Sequence, residues 1–70
     1  MTTYNVVYEQ AGDGSWSASS PDVPGCYSVG DTVEEAEAGM RDALAVHLEE
    51  LRRHGDPVPE RHSAVGTITA

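Results

Sequence analysis

Between Thr3 and Gln10 the chain alternates, with Tyr4, Val6 and Tyr8 on one side and Asn5, Val7 and Glu9 on the other. A period of two in aromatic and β-branched residues predicts a strand over about 3–10. The run Ala11-Gly12-Asp13-Gly14-Ser15 predicts a hairpin, Asp13-Gly14 supplying the φ > 0 positions. Trp16 and Ala18, alternating with serines, carry a second strand over about 15–20. Pro21 and Pro24 lack amide hydrogens and interrupt pairing. Pro24-Gly25 suits the centre of a type II turn, and the short run from Cys26 to Val29 reads as a third strand over about 26–29.

From Val33 the period changes to 3.6. Val33, Ala36, Met40, Ala43, Leu44, His47, Leu48 and Leu51 share one stripe, which predicts a helix over about 33–54. Thr32 with Glu35 three residues later makes a capping box. Glu34, Glu35 and Glu37 lie near the positive end of the helix dipole, and Arg52, Arg53 and His54 near the negative end. Gly55 and Pro57 stop the helix. Glu37–Arg41 and Glu49–Arg53 are spaced to pair along its surface. Beyond a proline-containing connector, Val65, Thr67, Ile68 and Thr69 have strand composition, weakened by Gly66, and predict a last strand over about 64–69.

The implied fold class is α+β in the order β-β-β-α-β: three antiparallel strands, a C-terminal strand, and one long helix packed on one sheet face. A right-handed crossover through the helix would return the last strand parallel to the first. The uncovered face displays apolar side chains such as Val7. The helix, about 30 Å long at ~1.5 Å per residue, overhangs strands of ~17–20 Å, and Val46 sits off its main stripe. Val7 and Val46 are therefore the candidate oligomer contacts.

Composition supports that expectation. Seventy residues make a single domain over 1–70, and a chain this small buries only ~60% of its unfolded surface. Small scaffolds compensate with disulfides, a metal or oligomerisation. The chain has one cysteine and no Cys/His pair at zinc-binding spacing, which leaves a homodimer or higher homo-oligomer. Twelve acidic against four basic residues give a net charge of −8. Such a field repels phosphate backbones, disfavours direct nucleic-acid binding, and favours a basic protein partner. No apolar run is long enough for a signal peptide or a membrane span, so no membrane association is expected and the cytoplasm is the expected compartment.

The chemistry-bearing residues do not assemble into a catalytic pattern. Cys26 has acidic neighbours in Asp22 and Asp31, which disfavour a thiolate, so a small buried packing residue is expected there. His47 and His54 lie two helical turns apart, too wide to share one metal ion. Asp13, Asp22 and Asp31 occur in turns, and Glu34, Glu35, Glu37, Glu49 and Glu50 decorate the helix. The glycines follow neither phosphate-binding fingerprint. The residues thus name no catalytic group, metal or cofactor.

Together these features resemble a known family. Tyr4 and Val6, Asp13-Gly14, Trp16, Pro21-Asp22-x-Pro24-Gly25-Cys26, Gly30-Asp31-Thr32-x-Glu34-Glu35-Ala36, the long helix, and the exit Gly55-x-Pro57-x-Pro59 resemble the N-terminal domain of HicB antitoxins from Tyr4 to Glu60. The resemblance implies a truncated ribonuclease H-like domain without nuclease chemistry, self-association, and neutralisation of a small basic HicA-type mRNA-cleaving toxin. Many family members continue into a DNA-binding domain. The strand-like, uncharged residues up to Ala70 do not match one, so operator binding is not carried over. Pairing with a basic partner points to Asp22, Asp31, Glu34 and Glu35 around the helix start. The alternative is a stand-alone oligomeric module of unknown ligand with no toxin partner.

Overall fold

The computed structural model describes residues 2–70; of the expected domain, Met1 alone lies outside the described residues. Three strands, β1 (Val7–Gln10), β2 (Trp16–Ser19) and β3 (Tyr27–Gly30), precede one helix, α1 (Val33–Arg53). The sheet is antiparallel in the order β1-β2-β3, with Val7 opposite Ser19 and Ser19 opposite Tyr27. The helix covers one face and packs chiefly on β3 and β2. Ala18, Val23, Cys26, Ala36 and Met40 form the buried core, flanked by Tyr4, Val6, Tyr8, Trp16, Ala43 and Leu44.

Small residues set how closely the helix approaches. A Cβ on Gly30 would lie 2.6 Å from the Cβ of Glu35 and 2.8 Å from the Ala36 nitrogen, and one on Gly39 would lie 3.0 Å from the Ser28 Cβ. Ser28 also donates its hydroxyl to the Ala36 carbonyl. The start of α1 therefore rests almost on the backbone of β3.

The helix ends follow their local chemistry. Thr32 Oγ1 accepts from the Glu35 amide at 3.2 Å, and Glu35 Oε2 accepts from the Asp31 amide at 2.9 Å, a capping box displaced by one residue at its return bond. At the other end Gly55, at φ +72°, donates to the Arg52 carbonyl while Asp56 donates to Leu51, the paired bonds of a Schellman stop. Glu37–Arg41 forms at 2.8 Å. The expected Glu49–Arg53 pair does not. Arg53 turns to Glu50 at 3.0 Å, whose carboxylate also meets His54 at 3.3 Å, and Arg52 pairs with Glu49 at 3.8 Å.

The hairpin differs in one detail from its expectation. Gly14 alone takes positive φ, at +91°. Gly14 donates to the Ala11 carbonyl and Ala11 to Ser15, which closes a three-residue loop with glycine at the left-handed position. Asp13 serves instead as an acceptor for the Ser15 amide at 2.9 Å and hydroxyl at 2.6 Å. The Pro24-Gly25 turn forms as expected, with Gly25 at φ +83° and Cys26 donating to Val23.

Two expected strand spans are corrected. The first strand begins at Val7 rather than near residue 3. Continuing the register places Asn5 opposite Pro21, which has no amide to offer the ladder. The side chains of the 20–23 turn take over: Ser20 donates its hydroxyl to the Asn5 carbonyl at 2.7 Å, and Asp22 Oδ2 accepts from the Asn5 amide at 3.1 Å. The fourth strand expected over about 64–69 is not formed, and residues 56–70 carry no regular structure. Their approach to the sheet is made through side chains. Tyr4 donates its hydroxyl to the Pro59 carbonyl at 2.5 Å, Asn5 Nδ2 donates to the Ser63 carbonyl at 2.8 Å, and the His62 amide donates to Asp22 Oδ1 at 3.0 Å. These bonds run through side chains and not through a backbone ladder, and beyond them Val65 and Ile68 are exposed.

Asp22 thus joins the first segment, the loop after β2 and the segment after the helix. It is 1% exposed. Burial alone would raise its carboxyl, but the amide of His62, the Ser63 side chain and the amide of Asn5 overcome that and bring it to about 2, against an ordinary 3.8. A lowered native value means the carboxylate's contribution is complete above pH ~4 and is lost as pH falls through about 2. Asp22→Asn replaces one of two acceptor oxygens with a donor facing an amide. Thermal unfolding at pH 7 should show Tm lowered by roughly 5–10 °C, with the difference from the parent shrinking between pH 4 and 2. Gly30→Ala should cost about 1–3 kcal/mol in denaturant unfolding through the clash with Glu35 and Ala36, while alanine at the exposed Gly12, which meets nothing within 4 Å, should cost far less.

Candidate functional site

The four acidic residues singled out around the helix start separate into two kinds. Asp22 is buried and its oxygens are occupied by Asn5 and His62, so in this fold it lies out of a partner's reach. Asp31, Glu34 and Glu35 are exposed. Glu35 is committed to the helix cap through its bond to the Asp31 amide. The side chains of Asp31 and Glu34 have no hydrogen-bond or ion-pair partner among the described residues and face solvent at the positive end of the helix dipole.

The surrounding charge is lopsided. Arg41, Arg52 and Arg53 are each matched with a glutamate along α1. These exposed pairs contribute only ~0–1 kcal/mol each to stability, but they keep the helix's own cations on its flank and C-terminal turns. The N-terminal corner is left with uncompensated carboxylates.

Cys26, the other residue that invites a chemical reading, is 5% exposed and belongs to the core. Burial pushes its thiol up, away from thiolate formation. Its position as a packing residue agrees with the sequence expectation. His47 lies half-buried in the helix stripe, and the His54 ring rests 3.3 Å from Glu50.

Val7 and Val46, the expected oligomer contacts, are 42% and 65% exposed. The structure adds Tyr27 and Val29, which sequence reasoning passed over although alternation across β3 sends both to the uncovered face. Tyr27 and Val29 flank an open edge, since β3 pairs only with β2. Between that edge and α1 runs a groove of about 520 Å³ lined by Cys26, Tyr27, Ala43, Val46 and His47 among others. A second groove of about 300 Å³ lies on the β1 side, lined by Tyr4, Val6, Tyr8, Met40 and Leu44 among others. No helix of the described residues is long and apolar enough to cross a membrane.

The comparisons agree with this architecture. Residues 4–70 match the profile of the HicB-like antitoxins of bacterial toxin-antitoxin systems. A UPF0150 protein of Synechocystis is 39% identical over 94% of this chain and 84% of its own length. A UPF0150 protein of Thermoplasma acidophilum is 28% identical over 96% and 97%. An uncharacterized 14.9 kDa protein from the rep-hol intergenic region of Haemophilus phage HP1 is 37% identical over 81% of this chain, which spans 42% of that longer relative. The crystal structure of the N-terminal domain of Burkholderia pseudomallei antitoxin HicB superimposes with a TM-score of 0.74 at 27% identity, over 84% of this chain and 69% of that one. The chain, three antiparallel strands under one capped helix, belongs to the HicB-like antitoxin family.

Proposed function

We propose that the protein is the antitoxin of a toxin-antitoxin pair, and that it binds and inhibits a small basic HicA-type mRNA-cleaving toxin without chemistry of its own. Family membership across residues 4–70 is the observation that carries this reading. The net charge of −8 supports it independently, because opposite fields speed the encounter of an acidic with a basic protein. On this reading the domain acts by occlusion: it covers the toxin's catalytic surface and contributes no reacting group. The description of its fold as truncated ribonuclease H-like and its assembly as a homo-oligomer belong to the same proposal.

The electrostatic contact is assigned to Asp31 and Glu34, whose carboxylates are exposed and unpaired among the described residues. Glu35 contributes to the field while capping the helix. Asp22 acts only through the fold, by holding the loop that precedes this corner.

The test is co-expression with a small basic HicA-type protein, sought first in the adjoining reading frame, followed by co-purification and growth measurement. A stable complex and restored growth are expected; no complex and no rescue would overturn the antitoxin reading. Glu34→Lys should weaken the purified complex about tenfold at low salt, less as salt rises, with Tm near that of the parent. A matching fall in Tm would show that Glu34 serves the helix start instead of the partner.

A further inference from the structure

Along β3 the helix passes from close contact to open contact. Glu35 and Ala36 lie against Gly30, and Gly39 lies against Ser28. One turn farther on, where larger side chains follow, the contact opens into the groove of about 520 Å³. Cys26, Ala43 and Val46 give that groove an apolar lining, Tyr27 adds an aromatic ring that is 72% exposed, and Asp42 and Glu50 add two carboxylates. Glu50 is shared between Arg53 and His54, whereas the exposed Asp42 side chain has no hydrogen-bond or ion-pair partner among the described residues.

Apolar lining, an exposed aromatic ring and an unpaired carboxylate are the three surfaces that an arginine side chain uses. Its methylene stem packs on apolar area, its guanidinium plane stacks on an aromatic face, and its forked N–H groups match both oxygens of a carboxylate. We propose that this groove seats an arginine side chain presented by a basic protein partner, with Asp42 accepting from the guanidinium, Tyr27 stacking on it, and Ala43 and Val46 covering the stem. The inference rests on the antitoxin reading for the partner and on the groove alone for its chemistry.

Other occupants fit less well. A wholly apolar side chain would strip water from Asp42 and give it no partner. An anion would meet a chain of net charge −8. A lysine ammonium is a compact, strongly hydrated charge without arginine's planar fork. A second copy of this chain brings the same negative field, and its Arg41, Arg52 and Arg53 are already matched with glutamates. Asp42 also lies about 12 Å along the helix from Glu34, at ~1.5 Å per residue. The groove is therefore a contact point separate from the acidic corner at the helix start.

NMR titration of the full chain with three end-blocked tripeptides, carrying arginine, lysine or citrulline between two glycines, supplies the test. Shifts should centre on Tyr27, Asp42 and Val46 and saturate at ~1–10 mM for the arginine peptide. They should be at least about fivefold weaker for lysine and absent for citrulline, which keeps the shape without the charge. Asp42→Asn should weaken arginine binding about tenfold and Tyr27→Leu about threefold, each with Tm near that of the parent because both side chains are exposed. Equal binding of lysine and arginine, shifts centred on Asp31 and Glu34, or no shifts up to ~20 mM peptide would overturn the proposal. The two readings fail separately. A HicA-type complex formed equally well by Asp42→Asn would leave the antitoxin reading standing and overturn the groove's part in it. Arginine binding without any such complex would sustain the groove and overturn the antitoxin reading.

Discussion

The fold depends on one buried carboxylate. Pro21 ends the β1–β2 ladder just where the N-terminal segment still has an amide to satisfy, and Asp22 accepts it. Its other oxygen takes the amide of His62, 40 residues away. A single side chain thereby does across three segments what a backbone ladder would do across two. A carboxylate serves here better than a neutral side chain, because it is acceptor-only and both facing groups are donors. Hydrogen bonds to the charged form outweigh the desolvation that burial imposes. In a domain whose only cysteine is free, this clasp fastens the segment after the helix to the start of the sheet.

The second constraint is how closely α1 lies on β3. Gly30, Ala36 and Gly39 remove side-chain bulk, so the helix start nearly touches the strand. Close packing at that end makes a small core of small residues, with Met40 as its one large, fully buried hydrophobic side chain besides Val23. Farther along, the helix spans the sheet with grooves on either side, and the two sheet edges stay open.

The helix was legible in the sequence almost to the residue. Its stripe, Thr32-Glu35 cap and Gly55 stop are local features, each decided within four or five positions. Cys26 was legible for the same reason, since its acidic neighbours argue against a thiolate. Asp22 was not. Pro-Asp-x-Pro-Gly reads as turn chemistry, and nothing within that stretch shows that the carboxylate points inward to partners 17 and 40 residues distant. Val23 escaped as well: it belongs to no periodic run, yet two consecutive turns bury it completely. The segment over 64–69 shows the opposite failure. Its composition suits a strand, but pairing is a tertiary event, and the residues just before it bond to the side chains of Asn5 and Asp22 instead of to a strand backbone. Of the acidic corner, the charges were legible and their division into exposed Asp31 and Glu34, capping Glu35 and buried Asp22 was not.

The measurement that bears most directly on this account is an NMR titration of the Asp22 carboxyl, followed together with the amide protons of Asn5 and His62. One shared transition near pH 2 is predicted, because the carboxylate that titrates is the acceptor both amides use. A carboxyl that titrates near 3.8 while those amides do not respond would show that Asp22 is not the clasp, and would contradict the account.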